Sequence, residues 1–236
     1  MSKSPVVPVS LMLLAALSLS ACKKHQPDAE APPVEASTPV APATSAPAAS
    51  EAAPAAEQTD EQREAARKQA KIQRALDNQK ILDDADGQWA TSASASSNYA
   101  TLIKNDDHHY EAAAATGAPD AEGTHNDEVA WGPEKANAGI EWLELGYDKP
   151  VNATMVRVRQ VANPGAIIKI ELLDETGAKH TVWEGSDNDK YDLGEINWFV
   201  RSFEATPYKA KGVRLTLATN AISNRPAIDA VQLVGK

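Results

Sequence analysis

All five Trp, all five Tyr and both Phe of this chain lie after residue 88, beginning with Trp89. A fold needs large apolar groups to bury, so this asymmetry says where a core can form and where none can. The core-bearing stretch, residues 85–236, is roughly 150 residues long, an ordinary size for one domain. No second break in composition divides it. Short β-prone runs recur there between turn residues. "VNATMVRVRQV" sets Val156, Val158 and Gln160 against Met155, Arg157 and Arg159, and "GIEWLELGY" puts Leu143 and Leu145 opposite Ile140, Trp142 and Glu144. "AIIKIELLDETG", "HTVWEG", "NWFVRSF", "KGVRLTLAT" and "IDAVQLVG" follow. Strands of this length and spacing predict an all-β domain, a sandwich or jelly roll. No long amphipathic helix follows Gly87, which argues against a doubly wound α/β fold.

Ahead of the domain the chain changes character twice. Residues 59–84, "TDEQREAARKQAKIQRALDNQKILDD", are dominated by good helix formers. Thr59 and Gln62 fit a capping box, with Asp60 and Glu61 in the first turn and Gly87 placed to help end the helix. Its apolar positions, Ile72, Leu76, Ile81 and Leu82, make no sustained heptad, so we expect a solvated helix docked by one narrow stripe, or a stalk. Residues 22–58 are mostly Ala, Pro, Glu, Ser and Thr with no aromatic. Such a segment buries too little to offset its ordering entropy, and we expect a disordered tether.

Residues 1–21 read as a secretory signal peptide, with Lys3 as the only charge before an apolar run. That run ends in Leu19-Ser20-Ala21-Cys22, and Cys22 is the single cysteine of the chain. These four residues resemble the lipobox of bacterial lipoproteins. The resemblance implies cleavage before Cys22, acyl chains on that cysteine, and an anchor in the membrane; Lys23 at the next position implies the outer membrane of the cell envelope. One cysteine leaves no disulfide within the chain.

The order of motifs in the domain carries a second resemblance. "QWATSASASSNYA" is followed by "AAATGAPDAEGTHNDEVAWGP", by "EWLELGYDKPVNATMVRVRQVANPGAIIKIELLDETG", and finally by "TPYKAKGVRLTLATN" and "AIDAVQLVG". This succession is similar to the discoidin-type, factor V/VIII C-terminal-like branch of the galactose-binding-like fold, over residues 88–236. The resemblance implies an eight-stranded jelly roll and a non-catalytic binding module for sugars, lipids or proteins. It also implies a structural calcium held by Asp120 and Asp229 with backbone carbonyls. The plainer alternative is that Asp120 caps a turn and Asp229 makes a local hydrogen bond. The cysteine pair of many animal members is absent, and the arginine and aromatic set of the sugar-binding members has no clear match.

Trp131, Tyr191 and Trp198 fall in or near predicted loops, where an aromatic face can stack on a sugar ring; Arg201 stands beside them as a hydrogen-bonding group. Trp89, Trp142 and Trp183 are assigned to the core. Arg157, Arg159, Arg214 and Arg225, like Arg201, are candidate anion- or sugar-bonding groups, most of them expected to be solvent-facing strand residues. His108, His109 and His125 lie among acids, but adjacent histidines on an extended chain point opposite ways, so we expect a polar loop and no metal site. Asn163-Pro164-Gly165 reads as a tight turn. The sequence holds no G-x-S-x-G, H-E-x-x-H, P-loop or Rossmann glycine pattern, and we expect no enzyme. A net charge of −10 without a basic run disfavours nucleic acid as a partner. The expected partners are a membrane, through Cys22, and a cell-wall glycan or, alternatively, an envelope protein.

Overall fold

A computed structural model describes residues 59–100, 110–124, 127–191 and 194–236, all within one compact unit, Glu57–Lys236. The signal peptide, Cys22, the tether, His108, His109 and His125 lie outside the described residues.

The chain enters as helix α1, Asp60–Leu82. Its capping box is present: Gln62 N–H donates to Thr59 Oγ1 at 3.3 Å, and Thr59 N–H donates to Gln62 Oε1 at 3.0 Å. Among the described residues nine strands follow: β1 Gly87–Trp89, β2 Ser92–Ala95, β3 Ile140–Val151, β4 Ala153–Ala162, β5 Ile167–Asp174, β6 Lys179–Glu184, β7 Asn197–Ser202, β8 Ala210–Ala218 and β9 Ala227–Gly235. They form two antiparallel sheets, ordered β1-β9-β4-β7 and β2-β3-β8-β5-β6. The eight-strand expectation becomes nine because the segment 87–95 crosses from one sheet to the other at buried Ala90.

Alternation over residues 141–147 of β3 and 156–160 of β4 builds the core. Leu143, Leu145 and Tyr147 face Val156 and Val158, with Ile170, Leu172, Leu215, Leu217, Val231 and Leu233 filling the layer between. Full burial of each such side chain stabilises by ~1.5–3 kcal/mol. Central β9 departs from alternation: eight of its nine residues are buried, Asp229 and Gln232 included. Its inner face meets the core. Its outer face lies under α1.

That contact is polar where an apolar stripe was expected. Arg157 Nη1 donates to Asp84 Oδ2 and to Gln232 Oε1, each at 2.7 Å. Gln232 Nε2 donates to the Ile81 carbonyl at 3.0 Å, and Trp198 Nε1 donates to Asn78 Oδ1 at 3.0 Å. The sheet's outer face carries Arg157 and Gln232, so only hydrogen-bonding groups can close over it without loss. Half-buried Arg74, Asn78 and Ile81 share one helix face. Ile72 and Leu76, 47% and 53% exposed, are left on the other. Gly87 starts β1 instead of ending the helix, which Asp83 caps.

Candidate functional site

The loop between β2 and β3 and the loop between β6 and β7 meet α1 at one end of the four-stranded sheet. Between them lies a cleft of about 480 Å³. Trp198, the second residue of β7, lies opposite Arg159 of β4, so both side chains leave the outer face of the sheet at the cleft. The Asn78 hydrogen bond fixes the indole, and Trp89 packs on it at 6.3 Å between ring centroids. Asn197, Glu122, Glu195 and Arg74 complete the polar rim, the last two paired at 3.3 Å.

Beneath the cleft sits a charged group. Asp229 in β9 is buried, and the Asp120 and Ala121 backbone N–H groups each donate to its Oδ1 at 3.4 Å. Arg159 Nη1 lies 3.1 Å from Asp229 Oδ2, and Nη2 donates to the Ala121 carbonyl at 3.0 Å. Burial pushes the Asp229 carboxyl up to about 6, against the pull of Arg159; burial likewise lowers Arg159, against the attraction of Asp229 and Asp120. Asp120 and Asp229 are therefore brought together, as the resemblance implied. Calcium asks for six to eight oxygens. Here the Ala121 carbonyl and Asp229 Oδ2 already face a guanidinium, and a divalent ion on those oxygens would touch that fixed positive charge. The residues as arranged do not fit calcium. Among the described residues no group of three or more His, Cys, Asp or Glu stands together as a metal-binding set.

The other candidates divide. Trp131 is fully buried and no stacking platform: its backbone pairs with Ile228 in both directions at 2.8 and 2.9 Å, and its Nε1 donates to the Ser97 carbonyl at 3.1 Å. Tyr191 and Arg201 lie together but away from Trp198. The Tyr191 hydroxyl donates to Asp187 and accepts from Gln160 Nε2 at 3.2 Å; burial first, then Asp187, raises its pKa. Arg201 lies 3.8 Å over the Phe199 ring and pairs with Asp189 at 2.8 Å. These two residues hold the β6–β7 loop onto the sandwich.

Trp89 and Trp142 are half-buried outside the core cluster where the core was expected, whereas half-buried Trp183 packs against the core on Phe199. The arginines read as solvent-facing are bonded internally: Arg157 to Asp84, Arg159 to Asp229, and Arg214 to Glu144 while stacked at 4.0 Å on Trp142. Arg225 donates to the Pro133 and Glu134 carbonyls and lies 3.5 Å over Tyr99. Sequence reading missed the α1 contribution to the cleft. Polar Arg74 and Asn78, one turn apart on one helix face, were the available signal.

Two antiparallel sheets with a loop-and-helix cleft at one end define the class: a discoidin-like jelly-roll β-sandwich domain. Residues 79–236 match the family described as "Pappalysin-1, SD scarf domain, C-terminal", and the chain belongs to that family. No curated protein matches it by sequence. Among solved structures it is similar to the F5/8 type C domain of a Bacteroides fragilis protein, with 20% identity, 64% of this chain and 98% of that chain covered, and a TM-score of 0.47. It is also similar to the family 32 carbohydrate-binding module of Clostridium perfringens NanJ in complex with galactose, with 17% identity, coverage of 62% and 98%, and a TM-score of 0.42. A chitosan-binding module of a Paenibacillus sp. chitosanase/glucanase matches with 18% identity, coverage of 61% and 94%, and a TM-score of 0.41.

Proposed function

We propose that this chain is a lipid-anchored cell-envelope protein displaying a non-catalytic glycan-binding domain, with the sugar held beside Trp198. The cleft is the observation that carries this reading. A sugar ring offers a C–H face and a rim of hydroxyls; its complement is an aromatic face with amide and charged groups around it. Trp198 provides the face, already oriented by Asn78, and Asn197, Glu122 and Glu195 provide the rim. A fixed indole loses little entropy on binding.

Calorimetric titration of the purified full chain with cell-wall glycans and peptidoglycan fragments tests it. Saturable binding that Trp198→Ala weakens at least about tenfold is the expected result. No binding across the panel, or binding indifferent to Trp198, overturns it. Loss of membrane-bound, palmitate-labelled protein in Cys22→Ser is expected for the anchor. A second reading, an envelope protein as partner, draws on the exposed Ile72 and Leu76 of α1. It predicts crosslinks from that helix face in intact cells.

A further inference from the structure

The loop Asp120–Thr124 is organised around a positive charge, and that charge is a side chain. The Arg159 guanidinium spans from a loop carbonyl, Ala121, at 3.0 Å to a carboxylate of the last strand, Asp229, at 3.1 Å. The other Asp229 oxygen faces the Asp120 and Ala121 N–H groups. We propose that Arg159 takes the place of a divalent cation here: it orders the loop without calcium. Because Glu122, Gly123 and Thr124 wall the cleft, Arg159 is a positioning residue for it.

Three observations carry this. The largely buried Arg159 guanidinium stands against the buried Asp229 carboxylate, and the Asp120 carboxylate attracts it as well. The oxygens a cation would bridge are those the guanidinium already faces. Arg159 Nε and Asp229 Oδ2 are buried without a hydrogen-bond partner among the described residues, so the ion pair holds by charge and not through a two-pronged fork. It follows that a lysine, keeping the charge, should serve in part. The proposal does not depend on what the cleft binds.

Hydrogen exchange at the Ala121–Thr124 amides and thermal melting test it on the full chain, for the wild type, Arg159→Lys and Arg159→Met, with millimolar calcium or with chelator. The wild type is expected to give the same protection and melting temperature in both conditions. Arg159→Met should lose protection in this loop and melt lower by on the order of 10 °C, since it leaves a buried carboxylate unpaired. Arg159→Lys should fall between. A wild-type loop that tightens with calcium or loosens with chelator overturns the proposal, as does an Arg159→Met loop as protected as the wild type. If Arg159→Met does not fold, the calcium and chelator comparison on the wild type decides alone. Absence of glycan binding by the wild type would refute the proposed function and leave this result untouched.

Discussion

Gly87 joins the helix to the sandwich, and Gly87→Ala should damage that joint through Gln232. A Cβ at residue 87 would lie 2.5 Å from Gln232 Cδ and closer still to its Nε2, so the glutamine must swing away. Gln232 makes two bonds from its present position, accepting from Arg157 Nη1 at 2.7 Å and donating to the Ile81 carbonyl at 3.0 Å. A bond to a charged group is worth ~1.5–3 kcal/mol and a neutral one ~0.5–1.5 kcal/mol. Displacing the side chain should thus cost ~2–4 kcal/mol, a drop in melting temperature on the order of 10 °C for a domain of this size. Gln232→Ala loses the same bonds by truncation and leaves room for the new methyl. In the Gln232→Ala background, Gly87→Ala should therefore cost less than ~0.5 kcal/mol. Chemical denaturation of the four proteins gives the coupling, expected at ~2 kcal/mol or more. Strict additivity, or a fully stable Gly87→Ala, would refute the reasoning.

Tyr191→Phe removes the hydroxyl that accepts from buried Gln160 Nε2 and should cost ~1–3 kcal/mol in urea denaturation, with glycan affinity unchanged because Tyr191 lies outside the cleft. The Asp174 carboxyl is held well below the usual carboxylate range, first by its hydrogen bond to His180 and then by Thr176. A depressed folded-state value gives stability that is present above the unfolded carboxylate value of about 4 and is lost as pH falls below it. Melting temperatures from pH 6 down to pH 2 should show that loss, and Asp174→Asn should flatten it. Ile72→Ser with Leu76→Ser should change stability by less than ~0.5 kcal/mol in the same urea assay; a larger loss would mean that this helix face is covered.

The strands were legible because alternation is local: Leu143, Leu145, Val156 and Val158 point inward as their spacing demands. What alternation cannot supply is the surroundings of the outward side. Arg157 and Arg159 point outward as expected, yet Asp84 and the Asp120–Thr124 loop lie over them. Trp131 failed for a related reason. It sits outside any strand, and its burial comes from pairing with Ile228, almost a hundred residues away. The capping box of α1 was readable from Thr59 and Gln62, whereas its docking face was not, because the helix seats on a polar surface that only the folded sheet creates.

That polar seat bears on how the cleft can recognise anything. Arg157, Arg159, Arg201, Arg214 and Arg225 are each engaged in an internal ion pair or carbonyl contact, so recruiting one to a ligand would mean breaking a bond already made. Breaking a partly buried pair on one side leaves its partner carboxylate uncompensated, which costs more than a surface hydrogen bond returns. An anionic ligand that drew on an arginine would have to meet that cost in a chain that already carries a net charge of −10. A neutral polyhydroxyl ligand would not: it can use the indole face of Trp198 and the rim at Asn197 and Glu122 while every arginine keeps its partner. The arginine pairing therefore favours neutral sugars over uronic acids or phosphorylated polymers, except where an acid group reaches exposed Lys71 on the α1 wall of the cleft.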